Sequence, residues 1–267
     1  MEIRILVLIK SRKPNLITSR WTAYGYAINT MDKKSPISIT LLERANGVTI
    51  AQWVYKTLRS AVMNGEILPG KALTIRGLAH VLDVSPMPVR EAIRQLSAEN
   101  ALEINASRRV TVPKMTALKF NELCEARIAL EPHAAARALP FVTPQILEQL
   151  IDLNQQGDQA IADGKLDQAS PLNQAFHRLL YSANPHQVCL PMIESLWLQL
   201  GPFMRLASSK LEEFYLVDRH IEALDAIKAQ DPFALQLAIQ ADIREGIAFA
   251  STPERLQSFV DHSNQIR

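Results

Sequence analysis

Two prolines stand at the start of an amphipathic helical pattern, in the segment DVSPMPVREAIRQL (residues 83–96). Proline has no backbone N–H and normally interrupts a helix, but the first turn of a helix leaves its N–H groups without internal partners. Ser85 is a favourable N-cap residue, so the pattern predicts a helix with Pro86 at its first position and Pro88 at its third. The expected buried stripe of this helix consists of Val89, Ala92, Ile93 and Leu96.

Two further helical patterns precede this segment. The first begins after Thr49, a good N-cap, and the second runs from about Ile75 to Leu82. Only the short turn DVS separates the second pattern from the helix that begins with proline. Two helices joined by such a turn, the second with exposed basic residues, are typical of a helix-turn-helix.

A β-hairpin is expected directly after the third helix. The segments ALEIN (residues 101–105) and RVTVP (residues 109–113) are rich in β-prone residues and flank the short tip ASR. A hairpin in this place is a wing, and Arg108 and Arg109 at its tip suit contacts with phosphate or with the minor groove. The alternative is a small helical domain with a hairpin that has no role in DNA binding.

Charge is distributed unevenly along the 267 residues. Residues 1–48 hold 8 Lys/Arg against 3 Asp/Glu, residues 49–114 hold 9 against 5, and residues 115–267 hold 12 against 19. The basic N-terminal part and the acidic C-terminal part of the chain suggest that the N-terminal part binds a polyanion. The two cysteines form no CxxC pair and fit a reducing cytoplasm, and the apolar run Ile3–Ile9 is too short to span a membrane.

The remainder of the chain is predicted to be helical. Breaks in the pattern give helices at about 117–138, 144–162, 165–182, 186–207, 210–229 and 232–250, with no strand pattern between them. The predicted fold is therefore mainly α, an N-terminal winged helix-turn-helix followed by a C-terminal antiparallel all-α helical bundle. The expected divisions are an extension without a core-forming pattern (1–44), the winged helix (45–114), the bundle (115–250) and a tail (251–267). Met31 is a second possible start, which would make the first 30 residues the product of a misassigned start codon.

The sequence resembles a known family at this level of detail. LPGKALTIRGLAHVLDVSPMPVREAIRQL is similar to the winged-helix domain of GntR-type bacterial regulators. The segments NELCEARIALEPHAAARAL, NQAFHRLLYSANP and HIEALDAIKAQDPFALQLAIQAD resemble the FadR-type effector domain of that family, called FCD. The resemblance implies a cytoplasmic transcription regulator, a repressor by expectation. It would bind a palindromic operator as a homodimer and sense a small organic acid.

The resemblance also assigns the DNA-binding positions. Arg76 and Arg90 match family positions that touch DNA, and Arg94 lies one turn further along the helix. An arginine can bind the O6 and N7 atoms of guanine together. Pro86 and Met87 replace the basic residue and the threonine that the family usually has, and the wing glycine is replaced within ASRR. The predicted DNA-binding set is Arg76, Ser85, Met87, Arg90, Arg94, Arg108 and Arg109.

In the helical half, the resemblance implies a metal site and an effector anchor. The positions that match the metal ligands of the family are Asn173, His177, His220 and Asp242, with Asn and Asp in place of the usual first Asp and last His. Such a set can hold Zn²⁺, Ni²⁺ or Mn²⁺; the alternative is a hydrogen-bonded core cluster. Arg127 matches a position that faces the effector cavity and can hold a carboxylate. Its alternative is an ion pair with Glu131 within one helix.

Three functions are compatible with these features. The first is the ligand-responsive regulator described above. The second is a metal-dependent helical enzyme with a vestigial DNA-binding domain, although the sequence has no nucleophile elbow and no Gly-rich phosphate loop. The third is an architectural DNA-binding protein whose helical half only dimerises.

Overall fold

The computed structural model describes residues 39–208 and 219–251, together with positions 254, 257 and 261. The front of this part contains α1 (Ile50–Met63), α2 (Ile75–Val81), α3 (Pro86–Ala98), β1 (Glu103–Ile104) and β2 (Val110–Thr111). The back contains α4 (Ala117–Ala138), a short 3-10 turn (Leu139–Phe141), α5 (Pro144–Ala162), α6 (Leu166–Ser182), α7 (Leu190–Ser208), α8 (His220–Lys228) and α9 (Pro232–Ala250). The prediction of a mainly α fold, with a winged helix-turn-helix before a helical bundle, is confirmed.

The helix-turn-helix is held together by packing of α1 on α3. Val54, Leu58 and Val62 of α1 and Ile93 and Leu96 of α3 are all completely buried. Each such side chain contributes about 1.5–3 kcal/mol relative to its exposed state. The apolar stripes of the two patterns therefore form one core beneath α3, which leaves the opposite face of α3 to solvent.

The N-terminus of α3 departs from the other capped helices in one respect. Thr49, Thr74, Thr116 and Thr143 each accept a hydrogen bond from the backbone N–H at the third helical position. Ser85 occupies the cap position of α3, as predicted, but its side chain makes no capping hydrogen bond. The physical reason is that proline, which has no N–H to donate, occupies the third position of this helix. The expectation of a capping side chain is corrected, and the Ser85 hydroxyl remains exposed.

The wing is a shorter hairpin than the sequence suggested. Its antiparallel strands pair Glu103 with Thr111 and Ile104 with Val110, so only two residues of each five-residue segment form the ladder. Val110 also exchanges two backbone hydrogen bonds with Leu73, at 2.8 and 2.9 Å. This bridge joins the wing to the segment before α2, and it takes up the outer edge of the second strand.

Residues 39–44, which were assigned to the N-terminal extension, contact the winged helix. Ile39 is buried, the backbone N–H of Thr40 donates to Glu66 at 2.8 Å, and the indole N–H of Trp53 donates to the carbonyl of Leu42 at 2.7 Å. The predicted boundary at residue 45 therefore falls inside a packed segment. Residues 1–38, and with them the question of Met31, lie outside the described residues, as does most of the predicted tail.

In the bundle, three predicted helices match the observed limits at both ends, at 117–138, 144–162 and 232–250. Helix α6 starts at Leu166, one residue later than predicted. Helix α7 starts at Leu190 rather than at residue 186, because residues 183–189 form turns and bends after α6 ends. Helix α8 starts at His220; the first part of the predicted 210–229 helix lies outside the described residues. Helix α5 packs on α6, and α4 and α8 both pack on α9.

Arg59 and Glu194 join the front of the chain to the bundle. Glu194 of α7 accepts from Arg59 of α1 at 3.2 Å and from Arg178 of α6 at 3.0 Å, and Arg59 also binds Glu99 at the end of α3. The side chains of Arg59 and Glu194 are each 18% exposed. This chain of ion pairs fixes α1 and α3 against α6 and α7.

Candidate DNA-binding face and candidate metal centre

The predicted DNA-binding residues all lie at the surface of the winged helix. Met87, at the second position of α3, is 70% exposed, and Arg90 lies on the same side of the helix one turn later. Among the described residues, Arg90 has no ion-pair partner. Arg76 of α2 is exposed as well. The first two turns of α3 thus offer one arginine, one apolar side chain and the Ser85 hydroxyl for contact with a DNA groove.

Arg94 differs from Arg90 because its charge is already compensated. Its guanidinium binds Glu91 of the same helix at 2.6 Å, and both side chains are largely exposed. This hydrogen bond lowers the pKa of the Glu91 carboxyl below its ordinary value. Arg94 must give up this partner before it can bind a phosphate or a base, so it is a weaker candidate for DNA contact than Arg90.

The tip of the wing places Arg108 in a left-handed backbone conformation, with φ of +59°. Glycine adopts such angles without steric cost, and the wing glycine expected from the family resemblance is replaced within ASRR (residues 106–109). Asn105 holds the turn, because its side-chain oxygen accepts from the Ser107 hydroxyl at 2.7 Å and from the Arg109 N–H at 3.0 Å. Arg108 and Arg109 are both exposed, as predicted for a wing that contacts DNA.

A cavity of about 500 Å³ lies between α3 and the wing. Its walls include Arg90, Arg94 and Lys119, together with Ile104 of β1, which is 48% exposed. The groove therefore carries three cationic side chains between the two elements that a winged helix presents to DNA.

In the helical bundle, the four predicted metal ligands come together. His177 Nε2 lies 3.1 Å from Asp242 Oδ2 and 3.4 Å from His220 Nε2, and Asn173 Nδ2 lies 3.3 Å from His220 Nε2. Donor atoms of His177, His220 and Asp242 all lie within 4.8 Å of one another. The two histidines are 2–3% exposed, whereas Asn173 is exposed, so the cluster is buried with Asn173 at its solvent side.

The tautomer of His177 follows from its other neighbours. The hydroxyl of Tyr181 donates to Glu131 Oε2 at 3.0 Å and lies 3.1 Å from His177 Nδ1. Because the hydroxyl has a single proton, its oxygen must accept from His177 Nδ1–H. Burial and then the charge of Glu131 raise the pKa of Tyr181 well above its ordinary value, which keeps this proton on the oxygen. These contacts orient the ring so that His177 Nε2 faces Asp242 and His220.

His220 is oriented in the same manner by a different partner. Its Nδ1 lies 3.1 Å from Asn154 Oδ1, and the amide nitrogen of Asn154 donates to Asp158 at 3.2 Å, so the amide oxygen is the acceptor. The ring of Phe176 stacks on the imidazole with a centroid distance of 3.9 Å. His220 thus carries its proton on Nδ1 and directs the lone pair of Nε2 toward His177 and Asp242.

The electrostatics of the cluster favour neutral His220 and ionised Asp242. Burial, with a contribution from His177, lowers the pKa of His220 to about 3. Burial would raise the pKa of Asp242, but the hydrogen bond from His177 and the backbone N–H of Arg219 hold it at about 2. A neutral imidazole and a carboxylate are the forms that bind metal ions.

Arg127 forms an ion pair with Glu131, which was the alternative to an effector-binding role in the sequence analysis. Its Nε donates to Glu131 Oε1 at 2.6 Å, and the indole N–H of Trp197 donates to the same oxygen at 2.9 Å. Glu131 is completely buried and Arg127 is 15% exposed. Within residues 39–208 and 219–251, neither terminal nitrogen of Arg127 has a hydrogen-bond partner, so both N–H₂ groups are available for another acceptor.

The supporting residues Tyr181, Asn154 and Trp197 were missed by the sequence interpretation, which named Glu131 only as an ion-pair partner of Arg127. Tyr181 lies four residues after His177, and this helical spacing is the one signal that pointed to it. Glu131 and Asn154 reach the cluster from α4 and α5, far away in the sequence. The donor set fits a divalent metal on chemical grounds, because two imidazole nitrogens and a carboxylate converge while their other atoms are hydrogen-bonded.

The chain has a winged helix with exposed arginines on α3 and at the wing tip, and a helical domain with a buried polar site follows it. This combination defines a DNA-binding regulator with an effector-binding domain. The chain belongs to the GntR family of bacterial regulatory proteins, whose model matches residues 50–112, and residues 122–245 match the FCD domain. It is therefore a transcriptional regulator of the FadR type, and the prediction that it is not an enzyme is confirmed by this membership.

Similar proteins are regulators as well. The HTH-type transcriptional regulator McbR of Escherichia coli K12 is 30% identical over 205 residues, which cover 75% of this chain and 92% of that protein. The gluconate operon transcriptional repressor of Bacillus subtilis is 25% identical over 201 residues, covering 72% and 79%. The solved structure of E. coli McbR/YncC has a TM-score of 0.71 at 28% identity and covers 75% of this chain and 96% of that one. Every helix in the described part of the chain is too short or too polar to cross a bilayer.

Proposed function

We propose that the chain is a transcriptional repressor that binds a palindromic operator as a homodimer and releases it when a small organic acid binds to the helical domain. A divalent metal, held by His177, His220, Asp242 and Asn173, would form part of the effector site. This function places the protein in the cytoplasm, where bacterial DNA lies. Repression is supported by two relatives that are themselves named repressors, the gluconate operon repressor of B. subtilis and RspR of E. coli.

The DNA-binding part of the proposal rests on α3 and the wing. Arg90 is exposed and unpaired among the described residues, and a bidentate arginine–guanine contact discriminates a base pair by about 1–3 kcal/mol. Met87 offers an apolar surface that suits the methyl group of thymine. A protein that reads a site with one such helix per subunit gains affinity from two-fold symmetry, which is why a palindromic operator is expected.

Selection of bound sequences from a pool of random DNA duplexes tests this part. A homodimer should enrich two-fold symmetric sites, and the purified protein should sediment as a dimer in analytical ultracentrifugation. Enrichment of asymmetric sites by a monomeric protein would contradict the proposal. Arg90→Ala serves as the control, because it should lose the enriched sequence while it keeps salt-sensitive, sequence-independent binding.

The single observation that carries the metal part is the convergence of His177 Nε2, His220 Nε2 and Asp242 Oδ2. A divalent cation among these three atoms would take the place of the contact between His177 and Asp242 and would neutralise the buried carboxylate. Zn²⁺, Ni²⁺ and Mn²⁺ suit two imidazoles and a carboxylate, and a bound metal supplies a Lewis-acidic partner for an effector carboxylate. The opposing interpretation is a structural cluster in which His177 is protonated on both nitrogens and donates to Asp242.

Arg127 supports the choice of an organic acid as effector. Its two terminal N–H₂ groups have no partner among the described residues, and its Nε is held by Glu131, so the guanidinium plane is fixed before an effector arrives. A fixed guanidinium can bind a carboxylate with two parallel hydrogen bonds. We infer that Arg127 and the metal together recognise a small molecule with at least one carboxylate.

Two measurements test the metal and effector parts. Elemental analysis of the purified protein should show about one divalent metal per chain, and DNA-binding titrations with a panel of mono- and dicarboxylates should find one that weakens operator binding. Arg127→Lys retains the charge beside Glu131 but lacks the planar fork, so it should lose the response to the carboxylate with operator affinity unchanged. A metal-free wild type, with no shift in melting temperature on addition of Zn²⁺, Ni²⁺ or Mn²⁺, would exclude the metal.

A further inference from the structure

We propose that the groove between α3 and the wing binds a phosphate group of the DNA backbone, and that Lys119 of α4 is one of the side chains that bind it. Lys119 comes after the part of the chain that matches the GntR model, residues 50–112, and so lies outside the winged helix itself. The inference rests on the DNA-binding part of the proposed function. It adds a contact to DNA from the first helix of the helical domain.

Three structural elements form the walls of this groove. Arg90 and Arg94 come from the exposed face of α3, Ile104 comes from β1 of the wing, and Lys119 comes from the first turn of α4. In a helix-turn-helix the second helix enters the major groove, and in this chain the wing follows that helix directly. A DNA strand that touches both α3 and the wing therefore lies over the groove between them.

The positive charges in the walls are only partly compensated. Arg94 is already bound to Glu91 at 2.6 Å, whereas Arg90 and Lys119 have no ion-pair partner within the described parts of the chain. Glu103 of β1 contributes a carboxylate to the walls, against three cations. Two unpaired cations on different walls repel each other, and an anion between them turns this repulsion into attraction. DNA supplies this anion, because its phosphate groups receive a large share of all protein–DNA hydrogen bonds.

The start of α4 is fixed to the winged helix, which holds Lys119 in place. Val112 and Met115, on either side of the exit from the wing, and Phe120 of α4 are buried in the same core as the apolar side chains of α3. Thr116 caps α4 by accepting from the backbone N–H of Lys119 at 3.1 Å. Lys119 is half-buried, and a lysine in such a place packs its stem while its ammonium group stays in water. The charge is thus carried by a rigid element beside the wing.

The chemistry of lysine distinguishes this contact from that of Arg90. An ammonium group is a compact charge and lacks the planar fork with which an arginine binds the O6 and N7 atoms of guanine. A lysine on a phosphate neutralises one charge and releases counterions from DNA, whatever the base sequence. Lys119 should therefore add to the affinity for any duplex, whereas Arg90 should add to the preference for the operator.

The experiment is a fluorescence anisotropy titration of the full chain with two labelled duplexes, the selected operator and an unrelated sequence of the same length, at several salt concentrations. Lys119→Met keeps a long side chain that can pack as the stem does, and it loses the charge. It should weaken binding to both duplexes by the same factor, roughly tenfold per bound subunit at about 0.1 M salt. The slope of log K against log salt should become shallower by about 1 per bound subunit.

Three further variants separate a phosphate contact from other effects. Lys119→Arg restores the charge and should restore both the affinities and the salt slope. Lys228→Met is the matched control, because it removes an exposed lysine charge from α8, which packs on α5 and α9 and not on the wing. It should change neither quantity. Glu103→Gln removes the carboxylate from the walls and should strengthen binding to both duplexes, so this test does not depend on the folding of a variant at position 119.

The outcomes distinguish this inference from the proposed function on which it rests. If the wild type binds both duplexes and Lys119→Met binds them as Lys228→Met does, the inference is overturned and the proposed function stands. A selective loss of operator binding in Lys119→Met would mean a base contact and would also overturn it. The same holds if Glu103→Gln binds no more tightly than the wild type. A wild type that binds neither duplex would reject the proposed function, and the inference with it.

Discussion

Gly201 of α7 lies directly against the backbone carbonyl of Met63, the last residue of α1. A Cβ atom on residue 201 would come within 2.1 Å of this oxygen, so a side chain of any size is excluded at that position. On the other side of the contact, Gly65 has a φ of +67°, and a Cβ there would meet Arg205 of α7 at 2.3 Å. The end of α1 and the middle of α7 thus approach each other so closely that neither glycine leaves room for a side chain of its own.

Gly201→Ala should destabilise the protein by about 1–3 kcal/mol, because the added methyl group forces two backbones apart. Thermal unfolding of the variant measures this loss. Gly157→Ala and Gly246→Ala are matched controls: a Cβ at either position meets nothing within 4 Å. Since alanine favours the helix by up to about 1 kcal/mol over glycine, the controls should be neutral or stabilising. A variant at position 201 as stable as the controls would contradict the close contact.

Arg90→Ala should weaken binding to the selected operator by about 1–3 kcal/mol without loss of folding, because Arg90 is exposed and unpaired among the described residues. Arg94→Ala is the comparison, since Arg94 is already bound to Glu91 at 2.6 Å and should matter less. Fluorescence anisotropy with labelled operator measures both, and circular dichroism checks the fold. If the two variants lost the same amount of operator affinity, Arg94 would contact DNA as strongly as Arg90, and its ion pair with Glu91 would break at little cost.

Asn173→Asp should strengthen metal binding, because it adds a second charged oxygen to the cluster, and His177→Ala should weaken it by removing an imidazole. Metal content and metal-dependent melting of the wild type and both variants test this. If the four residues form a structural cluster instead, Asn173→Asp should lower the melting temperature and no variant should respond to Zn²⁺. Asn173 is exposed, so the added charge needs little desolvation.

The metal-free protein should lose stability as the pH falls from 7 to 5. The pKa of His220 is about 3 in the folded protein, whereas a histidine in an unfolded chain has a pKa near 6.5. Between these values the unfolded state binds the extra proton, so lowering the pH favours unfolding, by about 2 kcal/mol at pH 5. Denaturant unfolding of His220→Gln should show a flatter pH dependence, whereas His186→Gln, which removes an exposed imidazole, should follow the wild type. If the free energy of unfolding changed with pH in the same way in all three proteins, the buried, neutral state of His220 would be contradicted.

Deletion of residues 1–30 should change neither stability nor operator affinity by much, since the sequence there has no core-forming pattern. Deletion of residues 1–44 should lower the melting temperature, because it also removes Ile39 and the carbonyl of Leu42 that binds Trp53. Comparing the two truncations at equal protein concentration separates the effects. A loss of stability on the shorter deletion would show that the first 30 residues pack on the fold.

The sequence by itself determined the secondary structure and much of the fold. The N-terminus of α3 at Pro86 was predictable because proline is tolerated in the first helical turn and because Ser85 favours the cap position. The limits of α4, α5 and α9 followed from the breaks in the helical pattern, which are local properties of the chain. The four members of the cluster were also identified, but through the family resemblance, since 22 residues of separation between His220 and Asp242 say nothing about distance.

Only the tertiary structure decided how these residues are protonated and what they bind. The orientation of the His177 ring depends on a hydroxyl one turn away and on Glu131, which comes from another helix and is held by Arg127 and Trp197. Whether Arg127 is paired could not be settled by spacing. In the structure its Nε binds Glu131, and its terminal nitrogens have no hydrogen-bond partner among the described residues. The missing capping bond of Ser85 has a local cause, because Pro88 has no N–H to donate. Contacts between distant segments depend on how helices pack, and the periodicity of a single helix carries no information about which partner faces it.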